Sequence, residues 1–231
     1  RAWDQVVFDV ALHRLPVIFC LDRAGITGDD GPSHHGIYDM ALLSKVPGMR
    51  VLAPSSTQEV EQMLKDAITL ANEGPVVIRY PKGVARSVDA ADIGSGLAAR
   101  KLLTDESNTV CILAIGKMVG ASLDAAALLA AKGISATVWD VRSCAPLDQS
   151  MIDNAAAHQV VVTVEDGIRE GGIGMTIEDL VSHTTGSHRP SIEVLGIPKQ
   201  FIPQAKPDVI LSRLGLNAEG IAATVQRLVH K

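Results

Sequence analysis

Short continuous apolar runs alternate with segments of helical period along almost the whole chain, and no other feature constrains the fold as much. Residues 17–21 (VIFCL), 49–53 (MRVLA) and 76–80 (VVIRY) are too short for helices and largely apolar on both faces, as strands buried in a parallel sheet are. Before the first of them, Trp3, Val6, Val7, Val10 and Ala11 recur at helical spacing until Pro16 ends the segment. A short helix is expected over residues 37–45. Thr57 is placed to cap a further helix that carries Val60, Met63, Leu64, Ala67 and Ile68 on one face. Residues 84–107 lose the apolar period, are rich in Ala, Gly, Ser and Asp, and read as a crossing linker. A second set comes after it, with strands at 109–115, 135–141, 160–164 and 191–195. Its helices fall near 119–132, 148–157, 172–183 and 217–230, the last capped by Asn217. Strands alternating with helices make βαβ units. The expected fold class is therefore α/β: two αβα domains with mainly parallel sheets, residues 1–83 and 108–231, joined by the linker 84–107.

Composition narrows the function classes. The chain has 231 residues, long enough for two domains, and its net charge of −5 comes without a basic tail, so neither a nucleic-acid backbone nor an anionic membrane surface is an expected partner. No apolar run reaches the length of a membrane span, and no signal peptide is visible. Cys20, Cys111 and Cys144 are far apart, without a C-x-x-C pair or metal-ligand spacing. They are expected to be buried free thiols of a reducing cytoplasm. The chain starts Arg1-Ala2-Trp3-Asp4, without methionine and already in a helical pattern, as a piece of a longer protein would.

Chemistry concentrates in one loop. Residues 22–36, DRAGITGDDGPSHHG, leave the C-terminal end of the first expected strand, where open α/β sheets place their ligands. Gly25, Gly28, Gly31 and Gly36 allow tight turns and close backbone approach. Between them stand Asp30 and His34, an acid and an imidazole that can trade protons or bond a polyhydroxylated substrate. A solvated Gly/Asp turn with incidental histidines satisfies the same residues. A metal site built from Asp29, Asp30, His34 and His35 is disfavoured, since Mg²⁺ and Ca²⁺ take oxygen cages and Zn²⁺ wants better separated ligands. The segment 167–174 (GIREGGIG) could offer free N–H groups to an anion, but is read as a tight turn and helix-packing element.

These motifs carry a family resemblance. The string DRAGITGDDGPSHHGIYD resembles the pyrimidine-binding signature of transketolase-type thiamine-diphosphate enzymes. It is similar in particular to the branch that joins pyruvate to D-glyceraldehyde 3-phosphate. RAWDQ at the start, the Val-Pro-Gly before residue 49, Ala53-Pro54-Ser55, and Gly74-Pro75 leading to RYPKG agree with it in order. So do VEDG at 164–167, GGIG at 171–174, Gly196-Ile197-Pro198 and FIPQ at 201–204, which resemble the family's C-terminal domain. The resemblance implies a pyrimidine-binding domain, incomplete at its N-terminus, and then a transketolase C-terminal domain.

The resemblance also implies roles for individual residues. Arg23 would contact the acceptor's phosphate, a task for a planar multi-donor guanidinium, with a structural ion pair to Asp22 or Asp39 as the competing reading. Lys82, where many family members have a second arginine, would add a point charge. Asp30 and His34 would face the substrates, Arg1 would approach the aminopyrimidine of the cofactor, and no residue here would hold the metal. Thiamine diphosphate and Mg²⁺ would be anchored mainly by an N-terminal domain outside this chain, together with the glutamate that activates the cofactor. This chain alone is accordingly expected to turn over nothing, and a homodimer is expected of the whole enzyme. Arg79 is expected to be structural, and Glu165-Asp166 a strand-end acidic pair at a subunit contact. His35 occupies a variable position and is assigned no role. Two other classes fit in outline, the β-subunit of a 2-oxo-acid dehydrogenase and a non-catalytic module that keeps the fold. The Asp-Arg-Ala-Gly opening argues against the first, and the Asp30/His34/Arg23 set against the second.

Overall fold

The computed structural model describes residues 2–184 and 189–230. The chain opens with a wide π-helix, Gln5–Ala11, in which the Leu12 and Leu15 N–H groups donate to Val7 and Val10, five residues back. The first domain then runs β1 (Ile18–Leu21), α1 (Asp39–Leu43), β2 (Arg50–Leu52), α2 (Thr57–Leu70) and β3 (Val76–Arg79). The second holds β4 (Arg100–Leu103), β5 (Val110–Ala114), α3 (Met118–Ala130), β6 (Thr137–Asp140), β7 (Ser143–Ala145), α4 (Gln149–Ala156), β8 (Val160–Ile168), α5 (Ile173–His183), β9 (Ser191–Ile197), α6 (Pro207–Arg213) and α7 (Ala218–Val229).

Both sheets are mainly parallel, as the alternating pattern requires. The first has strand order β1-β3-β2-β7 and the second β4-β6-β5-β8-β9, with β7 and β4 antiparallel to their neighbours. Every residue of β5 is buried, and alternate residues there and just past it face opposite layers. Val110 and Ile112 face a cluster with α3 and α7, while Cys111, Leu113 and Ile115 face a cluster with α4 and α5. The second domain is thus a three-layer αβα sandwich.

Several sequence expectations shift. The segment 84–107 is not all linker, because residues 100–103 form β4 along the edge of the second sheet. β7, unpredicted, leaves the second domain and pairs with β2 of the first sheet. β1 is an edge strand rather than a buried one, and Cys20 on it is exposed whereas Cys111 and Cys144 are buried. The cap of α2 is Ser56, whose Oγ accepts the Glu59 N–H at 3.1 Å, and Thr57 is the first helical residue. That helix buries Glu59, Met63 and Ala67 and leaves Leu64 and Ile68 exposed. Glu59 on the buried face accepts a hydrogen bond from Arg142 Nε at 2.8 Å. Asn217 caps α7, accepting the Gly220 N–H at 3.0 Å.

The domains share a core. One apolar cluster joins Met40, Val51 and Val77 of the first to Leu113, Trp139, Met151 and Ile177 of the second. Two buried arginines stitch the same junction. Arg142 Nε donates to Glu59 Oε2 at 2.8 Å, and its Nη1 donates to the carbonyls of Ser95, Gly96 and Ala98. Arg79 lies between Asp39 and Asp166.

Candidate active site

The loop after β1 has a buried root and an exposed tip. Residues 24–28 are buried, as are Gly31, His35 and Ile37, while Asp29, Asp30, Pro32, Ser33 and His34 face solvent. Ala24 and Gly25 bridge to Gly36, and Gly25 and Gly36 exchange two backbone hydrogen bonds at 2.8 and 2.9 Å, which pinches the loop's neck. Two turns lie inside it, Gly31 N–H to Gly28 O and His34 N–H to Gly31 O, both at 3.1 Å. Gly25 and Gly28 have φ of +74° and +90°, a region L side chains avoid, and both are closely backed. A Cβ at Gly25 would collide with the Asp166 carboxylate, and one at Gly28 would lie 2.6 Å from Pro207 Cδ.

The structure gathers three of the residues singled out by sequence around this tip. Lys82 Nζ reaches Asp30 Oδ2 at 3.5 Å, with both side chains substantially exposed. His34 is exposed, its Nδ1 3.0 Å from Ser33 Oγ. Arg23 comes two residues after β1, is half exposed, and pairs with its neighbour Asp22. Exposed pairs of this kind hold little energy and open readily to a competing anion. Arg1 lies outside the described residues. Among those residues no group of three or more His, Cys, Asp or Glu side chains gathers as a metal-ligand set.

Behind the tip lies a locked layer. Arg79 is fully buried, with Nε 2.9 Å from Asp39 Oδ2 and Nη1 2.6 Å from Asp166 Oδ1. Burial alone would push its guanidinium pKa down, but the charges of Asp166 and Asp39 outweigh that and raise it. Arg79 is structural, as expected. Asp166 carries the second domain's half of this internal ion pair. Glu165, its neighbour, accepts the Gly174 N–H at 2.8 Å and the Ile173 N–H at 3.3 Å. The free amides of the Gly-rich turn are therefore satisfied by a carboxylate of the chain itself, in keeping with a packing role. Burial pushes the Glu165 carboxyl up to about 7 against those two N–H groups. Asp140, which accepts the Ser55 hydroxyl across the junction at 2.5 Å, is likewise raised by burial to about 7.

A cleft of about 1390 Å³ opens between the domains, its walls including Leu64, Tyr80, Lys82, Arg86, Lys117 and Leu211. Lys82 stands on its margin, whereas Asp30 and His34 do not line it, so the cleft adjoins the loop tip rather than containing it.

Sequence reasoning assigned His35 no role and expected Asp166 at a subunit contact, whereas Asp166 is buried within this chain against Arg79. The available signal was the apolar setting of the loop. Ile26 within it and Ile37 just past it belong to the second domain's core cluster, so the chain between them is held by that domain.

Fold and site together define a class: a two-domain α/β protein whose glycine-rich loop 22–36 projects from the first sheet and is rooted in the second domain. Comparison with known proteins agrees. Residues 1–87 match the model of the transketolase pyrimidine-binding domain, and residues 100–221 that of the transketolase C-terminal domain. The chain belongs to the transketolase family. It is similar to 1-deoxy-D-xylulose-5-phosphate synthase of Leifsonia xyli subsp. xyli, 43% identical over 96% of this chain and 34% of that protein. The synthase of Magnetococcus marinus is 40% identical over 99% of this chain and 37% of its own length. The chain thus spans about a third of the curated relatives it matches. Among solved structures, one described as a split gene transketolase, inactive beta4 tetramer, superposes with a TM-score of 0.84 at 28% identity. That match covers all of this chain and 72% of the other.

Proposed function

We propose that this chain forms the acceptor side of a thiamine-diphosphate-dependent carboligase. The reaction would join pyruvate, with loss of carbon dioxide, to D-glyceraldehyde 3-phosphate, giving 1-deoxy-D-xylulose 5-phosphate at the first step of the non-mevalonate isoprenoid route. One observation carries the reading: Asp30 and His34 sit on an exposed loop tip whose root is buried, Lys82 reaches Asp30 at 3.5 Å, and a half-exposed Arg23 leaves the loop's neck. The relatives named for that synthase, at about 40% identity over nearly the whole chain, support it.

Arg23 and Lys82 bind the phosphate dianion, exchanging their weak partners Asp22 and Asp30 for it. Release from Lys82 frees the Asp30 carboxylate to orient a substrate hydroxyl. His34 holds or delivers a proton at the aldehyde oxygen through its imidazole. Thiamine diphosphate, when bound, supplies the electron sink for decarboxylation. Its diphosphate and Mg²⁺ need an anchor of their own. We assign that anchor, and the residue activating the cofactor, to the part of the longer relatives that this chain does not span. The exposed apolar residues Phe8, Leu12 and Leu42 then provide surface for that part or for a second subunit of a homodimer. The free thiols suit a reducing cytoplasm.

The test joins this chain to an upstream diphosphate-binding domain and supplies thiamine diphosphate, Mg²⁺, pyruvate and D-glyceraldehyde 3-phosphate. The expected result is deoxyxylulose phosphate from the joined protein and none from the 231-residue chain alone. Acyl transfer to a lipoyl acceptor instead would point to a 2-oxo-acid dehydrogenase subunit. No binding of thiamine diphosphate and no product in the joined protein would point to a non-catalytic module.

A further inference from the structure

His35 stands next to the outward-facing His34 yet points the other way and is buried. Its Nδ1 lies 3.2 Å from both the backbone N and the Oγ1 of Thr27, and its Nε2 lies 3.2 Å from the carbonyl oxygen of Ile202 in the second domain. The partners dictate the tautomer. A backbone N–H can only donate, so Nδ1 accepts, and the ring proton on Nε2 donates to the Ile202 carbonyl. The Thr27 contact closes a ring of chain that contains Asp30 and His34. The Ile202 contact ties that ring to the second domain, where Ile202 belongs to the same buried cluster as Ile26 and Ile37. Pro207 and Ala205 back Gly28, and Gln204 lies beside Gly31. The Ile168 N–H donates to the Ile37 carbonyl at 2.7 Å just past the loop. The buried turns of the loop therefore meet the second domain.

We propose that His35 is a positioning residue for the acceptor. It pins the loop 22–36 to the second domain, so that domain sets where Asp30 and His34 stand. This rests on the reading that the loop tip faces the acceptor. Removing the imidazole leaves the Thr27 N–H and the Ile202 carbonyl without their partner in a buried setting, and the loop gains freedom to turn. On that reading the donor half of the reaction does not depend on His35.

The test compares His35→Ala with His35→Gln, since glutamine carries one acceptor and one donor on a chain of similar reach. In the 231-residue chain, amide hydrogen exchange at Thr27 through His34 should quicken about tenfold in the alanine variant, the scale set by one buried hydrogen bond. Exchange on β5 and β8 should stay unchanged. In the joined enzyme, the alanine variant should raise the KM for D-glyceraldehyde 3-phosphate about tenfold. Its acceptor-free pyruvate decarboxylation should match the parent, and the glutamine variant should recover most of the loss. Unchanged exchange in the loop overturns the proposal. So does an equal loss of both half-reactions without rescue by glutamine, which marks a merely structural side chain. Should the parent joined enzyme form no product, the carboligase reading fails by itself, and the exchange result still decides whether His35 pins the loop.

Discussion

Arg79 and Arg23 leave the same edge of the first sheet, from neighbouring strands, and live in opposite surroundings. Arg79 pairs in register with Leu21, two residues before Arg23. Its side chain is 1% exposed and caught between Asp39 and Asp166; that of Arg23 is 52% exposed, with only its neighbour Asp22 for company. Lys82, three residues beyond Arg79, resembles Arg23 in being half exposed and loosely paired. The contrast separates two tasks for one kind of charge. A buried cation whose carboxylates come from two domains cannot leave them without stranding them, so it serves as a fastener. A half-exposed cation loses little by changing partner, so it can take a substrate's anion.

The largest effect should come from breaking the fastener. Arg79→Met would leave Asp39 and Asp166 without a countercharge, and urea unfolding should show a loss of roughly 3–5 kcal/mol. A loss below about 1 kcal/mol would mean that the shared apolar core alone holds the domains, and the contrast with Arg23 would collapse. Lysine at position 79 should recover only part, because a point charge cannot address both carboxylates as a guanidinium does.

Gly25→Ala should come next. It forces a side chain into a positive-φ position and against Asp166, with an expected cost of about 1–3 kcal/mol and a shifted loop neck. Unchanged stability in a thermal or urea melt would show that the neck can give way without disturbing the ion pair.

Glu165 sharpens the comparison through pH. Its folded pKa, about 7, lies above the ordinary 4.5, so the folded state keeps the proton longer than the unfolded one. Its contribution is most favourable below about 4.5 and declines as pH rises towards 7. Glu165→Gln should flatten that decline between about pH 4.5 and 7, measured by urea unfolding across pH, while losing one of the two acceptor oxygens that meet the Gly174 and Ile173 N–H groups. A parallel pH profile would show that the carboxyl is already ionised at neutrality inside the fold.

Arg23→Gln and Lys82→Gln should be the mildest. Each should change stability by no more than about 0.5 kcal/mol while raising the acceptor's KM in the joined enzyme. A stability loss comparable to that of the Arg79 variant would place these cations in the structural class instead.

The α/β class, the order of most elements, the Asn217 cap and the glycine-rich loop after β1 were all legible in the residues. Apolar period and glycine placement are local properties, and a strand of five apolar residues or a capped helix declares itself within its own window. β7 and β4 were not legible, because three or four residues of mixed polarity carry no period and become strands only when an edge is offered. The same reason hid the burial of Glu59, which faces inward for Arg142, eighty-three positions away. His35 is the sharpest instance. Its type and place beside His34 are in the sequence, but which of the two histidines faces the tip depends on a carbonyl at position 202. The sequence by itself determined the chemistry available at the loop and the modules that carry it. Only the tertiary structure decided which charges are locked and which are free, because burial and partners come from contacts between residues far apart in the chain.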